Sequence, residues 1–124
     1  MKLLDDRARE LSESRNSLAE RLLDEGLHTE RHPLIIFRTG GSGRRRPALV
    51  GTRLYVWQIV ETVRASGNSV HEAAEYLGLP ERHVKAAIDY YADFKDEVDG
   101  YRAEEREYER RERVRSERSQ RVLE

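Results

Sequence analysis

The chain has 124 residues, of which 38% are charged and 37% are hydrophobic. This length predicts one domain with an appended segment, and a charged share well above the usual quarter or so means that part of the chain is not core. Cysteine is absent, which excludes disulfides and thiolate metal sites. No apolar run has the length of a membrane span or a signal-peptide core, so we expect a cytoplasmic protein without membrane contact.

The net charge of −1 conceals an uneven distribution along the chain. Residues 31–65 hold seven arginines and one glutamate, a net charge of +6, whereas residues 1–30 and 66–94 each carry −3. A positive segment of this kind is typical of a surface that faces a polyanion. It is equally typical of arginines that protect the edge of a sheet from association.

The first 30 residues predict two helices, because leucines recur at helical spacing over residues 3–11 and again over residues 18–27. Ser14 or Asn16 is expected to cap the second helix, and Gly26 is a stop signal near its end. Leucines lie on one side of each helix and charges on the other. We therefore predict a helical dimerisation segment, residues 1–30.

The next stretch changes to an extended pattern. The runs 34–37 and 48–50 are rich in β-forming residues, and the glycine-rich turn between them predicts a β-hairpin. Arg44, Arg45 and Arg46 follow this turn directly, where we expect their side chains to project into solvent.

Three further helices complete a predicted domain of residues 31–95. The first carries its apolar face over residues 56–63. Ser69 is the expected N-cap of the second helix, which Gly78 ends. Pro80 suits the first turn of the third helix.

The last two of these helices have the spacing of a DNA-reading helix-turn-helix. A small residue, Ala74, permits close crossing of the helices, Gly78 permits a left-handed turn, and Val84 anchors the second helix. An ordinary helical corner would satisfy the same pattern. In a DNA reader, the outward face of the second helix would carry residues that contact bases, here Glu81, Arg82 and Lys85 together with Asp89.

The second helix of this predicted helix-turn-helix is too acidic to bind DNA by itself. The positive segment, residues 31–65, must therefore contact the phosphates. The predicted contacts there are Arg44, Arg45, Arg46 and Arg53. A single unit would bind weakly, which predicts a homodimer on a two-fold site.

Residues 96–124 form a predicted tail composed mostly of Glu and Arg. The composition permits a long helix, either solvated or ordered by a partner protein. The residues assigned to partner binding are those on which such a contact would depend: Tyr101, Arg102, Arg106, Tyr108, Arg110, Arg111 and Val114.

Residues 32–98 resemble the family called domain of unknown function 433, which is linked to VapB-type antitoxins. The marks of the resemblance are His32-Pro33, Gly51-Thr52-Arg53, Val56 with Ile59, and the sequence Ala-Ala-x-x-Leu-Gly-Leu at residues 73–79. The resemblance implies a DNA-binding part that represses its own operon, and a C-terminal tail that wraps a toxin, a ribonuclease of the PIN-domain class. Its helix-turn-helix positions fall on Ala74, Gly78, Arg82 and Lys85.

Residues 4–27 also resemble the two helices of a ribbon-helix-helix dimerisation unit. That unit has a β-strand before its first helix, whereas helical sequence begins here almost at Met1. We therefore assign no DNA contact to Lys2.

Other chemistry finds little support in the sequence. His28 and His32 are four residues apart, but Pro33 follows and no third ligand has metal-site spacing. Ser42 lacks a His-Asp arrangement, and its glycine-rich turn lacks the ending of a phosphate loop. We expect a protein that is not an enzyme and that binds no cofactor, no metal and no small-molecule substrate. The sequence thus predicts a mainly α fold with a small β-hairpin, and a DNA-binding antitoxin. The alternative is a protein-interaction adaptor that does not bind DNA.

Overall fold

The structure is a computed structural model that describes all 124 residues. It contains six helices and one two-stranded antiparallel sheet, which confirms the predicted mainly α class with a small hairpin. The elements in chain order are α1 (Lys2–Glu10), α2 (Arg15–Arg31), β1 (Ile35–Thr39), β2 (Arg45–Leu49), α3 (Val56–Ala65), α4 (Val70–Leu77), α5 (Glu81–Asp93) and α6 (Lys95–Val122). No helix combines the length and the apolar composition needed to cross a membrane.

The N-terminal helix pair consists of α1 and α2. Ser14 caps α2 as predicted, because its hydroxyl accepts a hydrogen bond from the Ser17 N–H at 3.1 Å. The predicted stop at Gly26 is wrong, since α2 continues to Arg31. Glycine inside a helix costs only about 1 kcal/mol. Contacts made beyond Gly26, such as the ring of His28 stacked on Phe94 at 4.2 Å, favour the longer helix.

The hairpin is longer than the sequence pattern predicts. Its second strand begins at Arg45 rather than Ala48, and Arg45 pairs with Thr39 while Pro47 pairs with Phe37. Proline is tolerated because a two-stranded sheet has only edge strands. Two of the three arginines after the turn therefore belong to a strand and do not project from the turn.

The core lies between the hairpin and helices α3, α4 and α5. Ile59 of α3, Ala73 of α4 and Val84 of α5 are fully buried, and Leu49 of β2 packs against the same cluster. Ser69 caps α4 by accepting a hydrogen bond from the Glu72 N–H at 3.1 Å. The predicted three-helix arrangement is thus present and packs directly on the hairpin.

Helix α6 is one continuous helix of 28 residues, about 42 Å long at 1.5 Å per residue. Val98 and Glu105 on its inner face are buried. The predicted tail begins within one residue of the start of this helix. However, the first half of the helix packs on the domain. Residues 109–122, the outer half of α6, are exposed except for the half-buried Val114.

Candidate functional site

Helices α4 and α5 meet in the geometry of a helix-turn-helix. Ala74 is buried at the crossing, and Gly78 adopts a left-handed conformation with φ of 68°. The Leu79 N–H donates to the Ala74 carbonyl at 3.0 Å, which closes the end of α4. Val84 is fully buried on the other side of the turn. Each packing requirement that the sequence suggested for this turn is met.

The outer face of α5 carries the residues predicted to read bases. Glu81, Arg82, Lys85 and Asp89 are all exposed. The structure gives Arg82 and Lys85 no ion-pair partner and no side-chain hydrogen bond, so both cations are free to bind a ligand. Glu81 differs, because its carboxylate lies 3.4 Å from a ring nitrogen of His71 on α4.

The arginines after the turn have different surroundings. Arg44 is exposed and forms no ion pair. Arg45 contacts Glu25 of α2 through two nitrogens, with Nη2 2.6 Å from Oε1 and Nε 3.1 Å from Oε2. Arg53, in the loop before α3, is exposed and unpaired like Arg44. Only Arg44 and Arg53 of this predicted phosphate-binding set are therefore free.

Arg46 requires a correction, because it does not project into solvent as a phosphate contact would. Its residue is 2% exposed, and Nη2 donates to the Glu104 carboxylate at 2.7 Å. Its Nε lies 3.6 Å from Glu105 Oε1, and the guanidinium carbon lies 4.6 Å from the centre of the Tyr101 ring. Arg46 is enclosed by α6, so its charge stabilises the fold and is not available to DNA.

Three of the seven arginines in the +6 segment contact carboxylates from elsewhere in the chain. Arg31 and His32 both contact Asp93 at the end of α5, at 3.3 and 2.7 Å. Arg45 and Arg46 are paired with α2 and α6 as described. The predicted DNA-binding surface required Arg45 and Arg46 to act together with Arg82 and Lys85. The structure does not bring these four residues together.

The inner part of α6 is joined to α3 by charged and aromatic contacts. Arg102 Nε donates to Glu61 at 2.9 Å, and its guanidinium carbon lies 4.0 Å from the centre of the Trp57 ring. Arg106 donates to the same Glu61 carboxylate oxygen at 3.2 Å. Tyr101, Arg102 and Arg106 were predicted to bind a partner protein, and here they are engaged within the chain.

The remaining predicted partner residues lie further along α6. Tyr108 packs near the turn, since a β-carbon added at Gly41 would lie 3.7 Å from its ring. Arg110 and Arg111 both contact Glu107, at 2.7 and 3.2 Å. The hydrogen bonds and charges of these arginines lower the pKa of Glu107 to about 2, the bond from Arg110 first among them.

Sequence reasoning missed which arginines of α6 are free. Four members of the outer half have neither an ion pair nor a side-chain hydrogen bond in the structure: Arg113, Arg115, Arg118 and Arg121. No local pattern separates them from Arg110 and Arg111. Spacing does not separate them either, since Arg113 lies four residues after Glu109 and Arg121 four residues after Glu117, just as Arg111 lies four residues after Glu107.

Each of the two histidines near the end of α2 contacts a carboxylate that the sequence did not predict as its partner. His28 Nε2 lies 3.5 Å from the Glu97 carboxylate, and His32 Nε2 lies 2.7 Å from that of Asp93. Potential ligand atoms of Asp24, His28 and Glu97 lie within 4.8 Å of one another. His28 thus lies between two carboxylates and joins α2 to α6, whereas His32 joins the end of α2 to the end of α5.

Comparison with known proteins finds one family match, in the central part of the chain. No curated protein and no solved structure matches it. Residues 42–91 contain β2, α3 and the complete turn between α4 and α5. This segment matches the model of the family described as protein of unknown function (DUF433), which supports membership of that family for this part of the chain.

Proposed function

We propose that the protein is the DNA-binding antitoxin of a bacterial type II toxin–antitoxin pair. In this proposal, α4 and α5 bind operator DNA and repress the protein's own operon. The outer half of α6 binds and neutralises a PIN-domain ribonuclease. The observation that carries the DNA-binding part is the pair of free cations, Arg82 and Lys85, on the exposed face of α5 within a helix-turn-helix.

The chemistry of that face suits base reading in the major groove. Arg and Lys donate hydrogen bonds to guanine, and a carboxylate such as Glu81 accepts one from cytosine. Phosphate contacts must supply most of the affinity. Arg44 and Arg53 are the free arginines of the positive segment that can contribute to it. With so few contacts in one unit, binding requires a homodimer on a two-fold site.

Fluorescence anisotropy with DNA from upstream of the protein's own gene tests this proposal. We expect tighter binding to this DNA than to a scrambled duplex. The double substitution Arg82→Ala with Lys85→Ala should reduce the difference by about tenfold or more, since a good base contact is worth roughly 1–3 kcal/mol. Arg113→Ala removes an unpaired arginine of α6 and serves as the control. Equal affinity of the unaltered protein for both duplexes would refute the repressor function.

The toxin-binding part of the proposal rests on the outer half of α6. This half is about 21 Å long and is exposed apart from the half-buried Val114. It presents four unpaired arginines and ends in the exposed Val122 and Leu123. A basic helix with an apolar end is complementary to an acidic cleft such as that of a metal-dependent ribonuclease.

Co-expression with a PIN-domain ribonuclease encoded beside the gene tests this second part. Truncation after Tyr108 removes the outer half of α6 but keeps Val98 and Glu105 in the fold. We expect the truncated protein to lose co-purification with the ribonuclease while its DNA affinity is retained. Retained co-purification would contradict the assignment of this helix.

A protein-interaction adaptor is the second candidate, and one observation favours it. The exposed surface around the turn carries the carboxylates of Glu72, Glu75, Glu81 and Asp89, which would repel phosphates. An adaptor would not bind any duplex DNA, even at low salt where phosphate contacts are strongest. The anisotropy measurement therefore separates the two candidates.

A further inference from the structure

Three potential metal ligands converge where helix α2 meets the first turn of α6. Asp24 and His28 lie four residues apart on α2 and therefore share one face of that helix. Glu97 belongs to the first turn of α6. One ligand atom of each residue lies within 4.8 Å of the other two. The sequence analysis found no third ligand at metal-site spacing because this ligand comes from a distant part of the chain.

Hydrogen bonding determines which nitrogen of His28 is able to bind a metal ion. Nδ1 lies 2.7 Å from the backbone carbonyl oxygen of Asp24. A carbonyl oxygen only accepts, so Nδ1 carries the proton and Nε2 keeps its lone pair in the neutral ring. Histidine ligands of metal ions are usually held in this way, with the second ring nitrogen donating to a carbonyl or a carboxylate. His28 thus presents Nε2 as its ligand atom.

The distance between His28 and Glu97 is too long for a charge-assisted hydrogen bond and suits two ligands of one ion. Nε2 of His28 lies 3.5 Å from Glu97 Oε2. By contrast, Nε2 of the neighbouring His32 lies 2.7 Å from Asp93 Oδ2, a normal hydrogen-bond length. In a tetrahedral zinc site with normal Zn–N and Zn–O bonds, neighbouring ligand atoms are about 3.4 Å apart. The pair of His28 and Glu97 has this separation.

The neighbours of the two residues hold their ligand atoms in place. The His28 side chain is 11% exposed, and its ring stacks on Phe94 with 4.2 Å between the ring centres. The Tyr101 hydroxyl donates to Glu97 Oε1 at 3.5 Å, which leaves Oε2 on the side of His28. A ligand fixed in this way loses little conformational freedom when it binds an ion.

A buried hydroxyl group near these carboxylates has no hydrogen-bond partner. Tyr90 is fully buried, and its hydroxyl makes no hydrogen bond. Burial raises the pKa of this phenol most, and the negative charges of Glu97 and Asp24 raise it further. The hydroxyl therefore lies within the electrostatic reach of both carboxylates. Since buried polar groups almost always have a partner, this unused donor indicates a site for a further polar ligand such as water.

We propose that Asp24, His28 and Glu97 bind a zinc ion, with water as the fourth ligand. Imidazole nitrogen and carboxylate oxygen are normal zinc ligands, and three protein ligands with one water are a known zinc coordination. The ion neutralises the two negative charges of the carboxylates. It also fastens α2 to α6, so zinc stabilises the junction of these helices. This site goes beyond the proposed function and does not depend on it.

Isothermal titration calorimetry of the full chain with zinc, after treatment with a chelator, tests the site. We expect one zinc ion per chain. Glu97→Gln removes a ligand with little change in shape and should weaken binding by more than about tenfold. Asp93→Asn alters the carboxylate that contacts His32 and is the matched control, with unchanged zinc affinity. No binding at tens of micromolar zinc, or equal affinities for the two variants, would overturn the proposal.

Nitrogen NMR of the histidine rings identifies the ligand atom. Zinc should shift the Nε2 signal of His28 and leave its Nδ1 protonated. His71 is the control, because its ring also contacts two carboxylates, at 3.2 and 3.4 Å, but is 68% exposed. We expect no change in its signals. An Nε2 of His28 that stays protonated in excess zinc would show that His28 forms a simple ion pair with Glu97, which would refute the site.

Thermal denaturation tests whether the ion joins the two helices. Zinc at about a hundred times its dissociation constant should raise the melting temperature by about 5–10 °C. Calcium should not, since it prefers sites with six to eight oxygen ligands. His28→Phe keeps an aromatic ring against Phe94, so its failure to respond to zinc would not reflect lost packing. An equal rise in this variant and in the unaltered protein would assign the zinc effect to another site.

Discussion

Arg46 Nη2 lies 2.7 Å from the carboxylate of Glu104, although the two residues are 58 positions apart in the sequence. The contact joins β2 to α6 and brings a nearly inaccessible guanidinium to the boundary between hairpin and helix. Glu104 itself is half exposed, so the ion pair has one enclosed and one solvated member. The positive charge that the sequence analysis assigned to DNA binding thus helps to hold α6 against the domain.

Removal of the Arg46 side chain should strongly destabilise the protein. Arg46→Ala leaves Glu105 without a cation and opens a cavity, and we expect a loss of about 3 kcal/mol in the free energy of unfolding. Urea denaturation measures this loss. Arg44→Ala is the matched control, and its effect should stay within about 0.5 kcal/mol. Similar losses for both variants would show that Arg46 is not an internal ion-pair partner.

The Tyr90 hydroxyl should be dispensable for stability. It is buried without a hydrogen-bond partner, and burial raises the pKa of the phenol far above its ordinary value. Since an unpaired buried polar group costs about 1–3 kcal/mol, Tyr90→Phe should be neutral or stabilising by about 1 kcal/mol.

The same group gives a pH dependence with a definite sign. The unfolded chain loses the Tyr90 proton near pH 10, while the folded chain keeps it. The contribution of this group to the free energy of unfolding is therefore fully present below pH 10 and is lost as the pH rises above it. Denaturation at a series of alkaline pH values should show a shallower fall for Tyr90→Phe. An unchanged fall would assign the dependence to other groups.

The left-handed turn between α4 and α5 should require glycine. Nothing lies within 4 Å of a β-carbon added at Gly78, so the effect of Gly78→Ala comes from backbone conformation alone. We expect a loss of about 1–2 kcal/mol, measured by thermal denaturation. Gly100→Ala, also uncrowded but within α6, should instead stabilise by about 0.5–1 kcal/mol. The same sign for both variants would contradict the left-handed conformation at Gly78.

The pKa of Glu107 should report whether the arginine pairs on α6 persist in solution. NMR titration of its carboxyl should give a pKa of about 2 instead of the usual 4.5, with the hydrogen bond from Arg110 as the main cause. Because the folded pKa is depressed, the pairing is complete above pH 4.5 and is lost as the pH falls towards 2. Arg110→Ala should move the pKa back towards 4.5, whereas Arg113→Ala should not. An ordinary pKa in the unaltered protein would show that the contacts are transient.

If the protein binds DNA as proposed, the salt dependence of binding should identify the phosphate contacts. Each lost contact reduces the slope of log K against log salt by about 1. We expect this change for Arg44→Ala and Arg53→Ala in anisotropy measurements at several salt concentrations. An unchanged slope for both variants would place the phosphate contacts elsewhere.

The features that could be predicted from the sequence are those that local chemistry determines. Ser14 and Ser69 cap helices because their hydroxyls reach N–H groups three residues away. Gly78 ends α4 because a left-handed residue is needed there. Helical periodicity located the face of α5 that carries Arg82 and Lys85. All of these depend on neighbours within one or two turns.

The features that could not be predicted depend on distant partners. The burial of Arg46 follows from where α6 crosses the hairpin, and the Arg45 contact with Glu25 joins residues 20 positions apart. A periodic pattern carries no information on such pairs. The sequence did contain one indication of these ion pairs, namely the alternation of negative, positive and negative segments. Opposite charges in adjoining segments can neutralise each other when the chain folds.

The β2 strand has its partners outside the segment that carries the family match. Residues 42–91 begin within the hairpin turn, so they lack β1, which pairs with β2, and they lack Glu104, which neutralises Arg46. Excision of this segment would leave an unpaired strand and an uncompensated arginine beside the core. We therefore expect the smallest piece that folds independently to be larger than the family match and to extend from β1 into the first half of α6.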